Sequence, residues 1–272
     1  MTVTPTDRRP PLGDLLRTWR ERRRLSQLEL ANRAEVSARH LSFIETGRSR
    51  PSREMIAQLA ERLEVPLRER NRLLLAAGYA PAYGETDLDA PELAAARDAV
   101  RRVLAGHEPY PAVVVDRRWQ LLDANPSLRL FTRLAAPDLL VPPVNVLRVS
   151  LHPEGLAPHI LNLGEWRSHL LGRLTRQVEL SGDVELAGLL RELRGYPCAQ
   201  PEPVADLPGP GEFVVPLRIR SAGRTLSFFS TVATFGTPLD VTLAELVIES
   251  FYPADRDTVA ALRAQAAEPA GD

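Results

Sequence analysis

The strongest constraint on what this chain can fold into is a spacing: two helix-opening serines, Ser26 and Ser37, stand eleven residues apart. Ser26-Gln27-Leu28-Glu29 is a capping box, in which the serine hydroxyl and the glutamate carboxylate each satisfy a backbone N–H that has no partner inside the helix. The helix it opens is expected to run to about Ala34, only about two residues before Ser37 caps the next one. That second helix carries Leu41 and Ile44 inward, and Gly47 follows where a left-handed residue would end it. So short a junction forces the two helices to cross steeply. The outer face of the second, Ala38, Arg39, Ser42, Phe43 and Thr46, is then free to project from the domain.

Three further helices complete a small all-helical unit. Leu12, Leu15, Leu16 and Trp19 recur at i, i+3, i+4 and i+7, which predicts an amphipathic helix from Leu12 to Arg23 with an arginine-rich face read as solvated surface. Pro51-Ser52 opens a fourth helix with Ile56, Leu59, Ala60 and Leu63 on one side. Pro66 fits the first turn of a fifth, which Gly78 closes. The formal net charge of the chain is −1, but it is divided unevenly. Residues 1–80 hold 16 Arg against 10 acidic residues, a net of +6, and the remainder has a net of −7. Positive charge is concentrated where contact with phosphate would need it.

The pattern Ser26-Gln27, Leu30-Ala31, Val36-Ser37, Leu41, Ile44-Glu45, Gly47 and Pro51 resembles the phage-repressor-like helix-turn-helix family over about 55 residues. The resemblance implies double-stranded DNA as partner, with the third helix in the major groove, which is about as wide as a helix. It also implies that Gln27 contacts phosphate and that Ala38, Arg39 and Phe43 face the bases, with His40 and Ser42 nearer the backbone. Arg39 can fork onto the O6 and N7 of a guanine or take a phosphate instead. Phe43 either touches a thymine methyl or packs on its own domain. Arg48, Arg50 and Arg53 flank Gly47 and Pro51, where they either supply sequence-independent contact with the duplex backbone or line a solvated loop. Repressors of this kind generally bind two half-sites, so a homodimer is expected.

A turn-rich stretch from Pro81 and a helix from Pro91 to about Leu104 form a linker and connecting helix over residues 81–108, before a second domain at 109–272. Ala112–Asp116 and Trp119–Asp123 are β-rich runs around Arg117-Arg118 and predict a hairpin. Residues 164–180 and 184–194 read as helices. Past Pro208-Gly209-Pro210-Gly211, the alternating Phe213, Val215, Leu217 and Ile219 predict a strand. Ser221-Ala222-Gly223 turns the chain, Thr225–Phe235 returns, and Val241–Phe251 reads as a third strand. The expected fold is therefore multi-domain: an all-α five-helix unit at 1–80, then an α+β domain with an antiparallel sheet, in an order that resembles a PAS-type sensor.

Pro111-Ala112-Val113-Val114-Val115-Asp116, Asn145-Val146-Leu147-Arg148, His152-Pro153-Glu154-Gly155-Leu156 and Phe235-Gly236-Thr237-Pro238 followed by Asp240-Val241-Thr242, together with Arg39-His40-Leu41-Ser42-Phe43, resemble the MmyB-like regulators over nearly the whole chain. That resemblance implies a ligand-binding second domain and a small apolar, fatty-acid-like ligand in place of any cofactor. Trp119, Trp166, Phe228, Phe229 and Phe235 are candidate walls of such a site or else plain core. Arg148, His152, Asn162 and Arg167 are candidate partners for a polar head, or surface groups paired with carboxylates.

Other function classes find little support. His152, His159 and His169 are seven and ten residues apart, outside zinc spacing, and no HExxH, nucleophile elbow, Walker loop or dinucleotide fingerprint is present, so no enzyme is expected. A single cysteine, Cys198, excludes an intrachain disulfide and a cysteine-cluster metal site. No apolar run reaches the ~20 residues of a membrane span, which makes the expected location cytoplasmic. Two alternatives stay open for the second domain: a pure dimerisation or docking module, and a PAS-type sensor holding heme or flavin.

Overall fold

The computed structural model describes residues 11–201 and 214–267. Within it the chain forms two compact units. One comprises residues up to Asp87 together with Thr237–Ala244, and the other Leu88–Gly236 together with the residues from Glu245 onward.

The first unit is helical: α1 (Leu12–Arg22), α2 (Gln27–Arg33), α3 (Ala38–Glu45), α4 (Arg53–Arg62) and α5 (Leu67–Ala76). The expected capping chemistry is present. Ser26 accepts from the Glu29 N–H while Glu29 reaches back to the Ser26 N–H, Ser37 accepts from His40, and Ser52 accepts from Met55. Between α2 and α3 the backbone turns through Glu35 at φ +53°, and Gly47 stops α3 at φ +71°, a conformation open to glycine at little cost. Leu16, Leu30, Leu41, Ile56, Leu59 and Leu63 are fully buried in the shared core. Gly13 lets α1 approach α3 closely, because a Cβ there would lie 2.3 Å from the Glu45 carbonyl oxygen.

The arginine-rich side of α1 is not simply solvated, as its periodicity suggested. Arg20 grips the Glu45 carboxylate with two bonds, Nε to Oε1 at 2.7 Å and Nη2 to Oε2 at 2.9 Å. Gln27 Nε2 donates to the same Oε2 at 2.8 Å. Arg23 donates to the carbonyls of Leu63 and Glu64 and so ties α1 to the end of α4. Glu45 lies at the last turn of α3, so one carboxylate joins α1, α2 and α3.

The second unit opens with a short 3₁₀ turn, Pro91–Leu93, and α6 (Ala94–Gly106), then β1 (Ala112–Val115) and β2 (Leu121–Ala124). Next come α7 (Arg129–Thr132), α8 (Val146–Leu151), α9 (Leu163–Ser181) and α10 (Val184–Arg194), then β3 (Leu217–Ser221), β4 (Arg224–Ala233), β5 (Val247–Pro253) and α12 (Arg256–Ala267); between β4 and β5 the chain forms α11 (Val241–Ala244), which belongs to the first unit. The described strands form one antiparallel sheet in the order β2-β1-β5-β4-β3. Ala222 and Gly223 both take positive φ between β3 and β4, the geometry of a hairpin turn whose twist matches its strands. Phe213 and the Pro208–Gly211 stretch lie outside the described residues.

Two expectations need correction. The 241–251 run is not one strand, because the Asp240 carboxylate accepts from the N–H groups of Thr242 and Leu243 and caps the helical turn α11 before β5 begins. Thr225–Phe235 ends as a strand at Ala233, leaving Phe235 beyond the sheet. Although Thr237–Ala244 falls within the 109–272 span of the sequence, it packs into the first unit, where Thr86 N–H donates to Asp240 and Val241 N–H donates to the Gly84 carbonyl.

The Glu45 network yields a test. Burial pushes this carboxyl up, but the hydrogen bonds from Arg20 and Gln27 and the charges of Arg20 and Arg17 outweigh it and hold it below the ordinary value. A group depressed in the folded state contributes stability that is whole above its unfolded value, ~4.3, and is lost as pH falls through the folded value. Glu45→Gln, which strips a buried pair of its acid, is expected to lower stability by about 3–5 kcal/mol at neutral pH. Thermal or denaturant unfolding should show the gap between wild type and variant closing in acid; a gap independent of pH would assign the loss to packing.

Candidate functional site

Two sites emerge, one in each unit. On the helical unit, Arg39 on α3 and Arg48 just past its end are both exposed, and Phe43 between them in sequence is half-buried. The Arg39 guanidinium lies 5.3 Å and that of Arg48 6.0 Å from the centre of the Phe43 ring. Arg39 and Phe43 are i and i+4 neighbours, and the ring face attracts both cations, so the phenyl group restricts two long side chains that would otherwise sample many rotamers. Ala38, His40 and Ser42 are half-buried along the same helix.

Gln27 is turned inward at least in part, since one of its N–H groups is held by Glu45. The three arginines after Gly47 do not form one class. All three are exposed, but Arg50 in addition donates to the Ala77 carbonyl at 2.7 Å and lies 5.4 Å over the Tyr79 ring, at the end of α5. This contact gives Arg50 a role in holding α5. The cause is the carbonyl left unsatisfied at a helix C-terminus, for which a cation is a favourable partner.

In the second unit a cavity of about 310 Å³ opens between the sheet and the helices. Val113, Trp119, Phe131, Val149, Trp166 and Phe251 contribute to its apolar wall, and its polar lining is Thr132, Ser150 and Glu249. Trp119 sits at φ +65°, costly for so bulky a residue at ~1–3 kcal/mol. Three contacts hold it there: the Asp116 carboxylate accepts from the flanking N–H groups of Arg118 and Gln120, its own Nε1 donates to Gln177, and Arg173 lies 4.8 Å over its ring. Trp166 is fixed by its Nε1–H to the Ser150 hydroxyl at 3.0 Å.

Of the aromatics singled out in the sequence, Trp119 and Trp166 line this cavity and the other three do not. Phe228 is fully buried behind it, edge-on to Phe131 at 5.5 Å. Phe229 points to the other side of the sheet, as alternation requires, and stacks on Tyr252. Phe235 is half-buried past the end of β4.

None of the four proposed head-group residues is among the lining residues. Arg148 forks onto Glu192 at 2.7 and 2.8 Å, and Tyr196 donates to that same carboxylate at 2.6 Å. Burial and the Glu192 acceptor push the Tyr196 hydroxyl up to about 12. His152 accepts from the Glu154 N–H. Asn162 donates to Glu165 and to the Pro216 carbonyl and accepts from the Arg218 N–H, stapling the start of α9 to β3. Arg167 is buried and donates to the Arg194 carbonyl at the end of α10. Each lies near the helical wall in sequence, but its side chain points away from the cavity into a local polar contact.

Sequence reasoning missed Glu249. Its signal was available, because Val247, Glu249 and Phe251 share one face of β5 by period two, which puts a carboxylate at a core position. Glu249 is 5% exposed, and Arg173 Nη1 donates to its Oε1 at 3.1 Å. No described helix is long and apolar enough to cross a membrane. Among the described residues no group of three His, Cys, Asp or Glu is placed to hold a metal ion.

Comparison with known proteins bears on both units. Residues 11–73 match the model of a helix-turn-helix domain, and residues 96–264 match that of the MmyB-like transcription regulator ligand binding domain. Among curated proteins none matches the chain. A solved structure, the clp gene regulator ClgR from Corynebacterium glutamicum, is 27% identical over 38% of this chain and 99% of its own, with a TM-score of 0.23 that carries no argument. The match to the ligand-binding domain covers more than half of the sequence, and on that ground the chain belongs to the MmyB-like transcription regulators.

Proposed function

We propose that this regulator reads a specific operator as a homodimer and that its second, PAS-like unit senses a straight-chain apolar molecule of the fatty-acid kind. The observation that carries the sensing half is the cavity: it lies within the span matched as ligand-binding, and among the described residues its wall is apolar but for Thr132, Ser150 and Glu249. At ~30 Å³ for a water-sized group, its volume admits on the order of ten carbons. The two-strand, helices, three-strand order supports the PAS-type comparison. A heme reading loses ground because, among the described residues, the lining holds no His, Cys, Met or Tyr to ligate iron. A purely scaffolding domain would have no use for such a space, since close-packed interiors leave few voids larger than a water.

The reading half rests on α3 and its charges. Arg39 is the candidate for base contact and Arg48 for phosphate, with Gln27 and Arg53 as further backbone contacts and Ala38, His40, Ser42 and Phe43 completing the face. Two such helices in a dimer would meet half-sites about one turn apart, ~34–36 Å. Occupancy of the cavity alters DNA binding only if the ligand has different affinities for two arrangements of the protein.

Arg39→Ala is expected to relax preference at one base position, by ~1–3 kcal/mol of discrimination. Arg48→Ala should weaken cognate and random DNA alike and flatten the salt dependence by about one unit of slope. Arg50→Ala should lower the melting temperature more than it changes the salt slope. Binding isotherms on both DNAs across a salt series, beside thermal melts, separate the three; equal losses on both DNAs for Arg39→Ala would move it to the phosphate class.

For the cavity, affinity should rise with chain length. At ~0.8 kcal/mol per buried methylene it should improve about fourfold per carbon until the space is full. Titrating a homologous series into delipidated protein, with operator binding followed in parallel, measures both steps. Flat chain-length dependence would sink the pocket, and binding without any change in operator affinity would remove the switch.

A further inference from the structure

Arg17 stands about one turn from each of two residues that shape the joint between α1 and α3. One turn before it, Gly13 meets the Glu45 carbonyl, and one turn after it, Arg20 forks onto the Glu45 carboxylate. Positions three and four apart share a face of a helix, so the Arg17 stem runs along the same seam. Its contacts there are loose. Nη2 lies 3.5 Å from the Glu45 carbonyl oxygen, and Nε lies 3.7 Å from Glu45 Oε2. Among the described residues, Glu45 supplies the polar partners of Arg17.

The buried carboxylate does not need this second cation. Oε1 takes Arg20 Nε at 2.7 Å, while Oε2 takes Arg20 Nη2 at 2.9 Å and Gln27 Nε2 at 2.8 Å, so both oxygens are satisfied without Arg17. Nor do the charges cancel, since one carboxylate faces two guanidinium groups. The surplus lies at the surface: the Arg17 side chain is 43% exposed, against 11% for Arg20 and none for Glu45. Arg20 holds the fold, and Arg17 carries a positive charge with donors to spare.

Gln27 adds a neutral donor beside it. Arg17 and Gln27 converge from two helices on one atom, Glu45 Oε2. Gln27 is half-buried and commits one of its two amide N–H groups there, which leaves the other next to the guanidinium. Both side chains flank the last turn of α3, just before Gly47 and the exposed Arg48. A forked cation next to an uncharged donor suits the paired oxygens of a phosphodiester.

We infer that Arg17, with Gln27 beside it, contacts the DNA phosphate backbone at the C-terminal end of α3, from α1 rather than from the α2–α3 pair. The inference rests on the reading of the helical unit as a DNA reader and adds a residue to it. A phosphate there takes the donors that Glu45 leaves unused and does not disturb the Arg20 grip. Because Arg17 reaches α3 through Glu45, the contact also sets the register of α3 on the duplex.

The test uses the full chain and a random-sequence duplex, with affinity measured across a salt series and each variant checked by its thermal melt. Arg17→Ala is expected to reduce the slope of log affinity against log salt by ~0.9, the counterion release of one phosphate, with a melting temperature close to that of wild type. Arg17→Lys should restore the slope, because it returns the charge. Arg20→Ala should instead melt well below wild type. Arg62→Ala, at the far end of α4 from Arg53, removes an exposed charge elsewhere on the unit and should leave the slope as it is. An unchanged slope in Arg17→Ala overturns the inference, as does an equal fall in Arg62→Ala, which would make the effect one of net charge. Should Arg17→Ala not fold, Arg17→Gln drops the charge, keeps a donor for the Glu45 carbonyl and reads the same slope. Wild type without salt-dependent binding would overturn the DNA reading itself, a result distinct from salt-dependent binding that Arg17 does not alter.

Discussion

The Glu45 carboxylate is the interaction on which the helical unit depends. Three helices donate to or supply it: Arg20 from α1, Gln27 from the first residue of α2, and Glu45 itself from the last turn of α3. Gly13 permits the close approach of α1 that brings Arg20 within reach. A buried ion pair of this kind is weak evidence for extra stability, since apolar packing of the same volume can do as well. Its directional bonds do something packing does less well: they fix the angle at which α3 leaves the domain. Under the proposed reading, in which side chains on α3 meet the bases, a small rotation there would displace Arg39 relative to any base edge. Phe43 extends the same order outward by restraining Arg39 and Arg48.

The cavity depends on an equally specific arrangement. Trp119 holds an unfavourable backbone conformation because Gln177, Arg173 and Asp116 each fix part of it. Trp166 is pinned by Ser150. Two large rings thereby form walls that cannot easily collapse into the space between them. Without those anchors a void of about 310 Å³ would forfeit many contacts and the surrounding side chains would be drawn in.

Much of the helical unit was legible in the sequence because its signals are local. Ser26 with Glu29, Ser37, Ser52 and Gly47 act within three or four residues, so reading them requires no knowledge of the tertiary fold. The second unit was legible in its elements, from the β1–β2 hairpin to α9 and α10, and less so in its site. Arg148, His152, Asn162 and Arg167 sit at the right place along the chain, but their directions are set by partners the sequence does not announce. Glu192 is 44 residues from Arg148, and the Pro216 carbonyl 54 residues from Asn162. Adjacency in sequence says which element a side chain belongs to, not which of its faces carries it. Glu249 was overlooked for a different reason: the apolar run around it drew attention to the strand and away from the one residue that breaks the pattern. The same habit joined α11 to β5, although Asp240-Val241-Thr242 carries a capping signal as plain as the one at Ser37.

The β4–β5 connection also bears on modularity. Two units joined by one linker could be exchanged by a single crossover in it. Here the chain passes back: residues 237–244 leave the sheet, supply Asp240 and Val241 to the unit formed by residues up to Asp87, and return to begin β5. A DNA-reading unit transplanted from another regulator would meet a foreign segment at Gly84 and Thr86. A replacement of residues 84–86 would therefore have to suit 237–244 as well. A functional transplant of the DNA-binding unit would have to carry residues 237–244 with it, whereas a side-chain change on α3 disturbs no such contact.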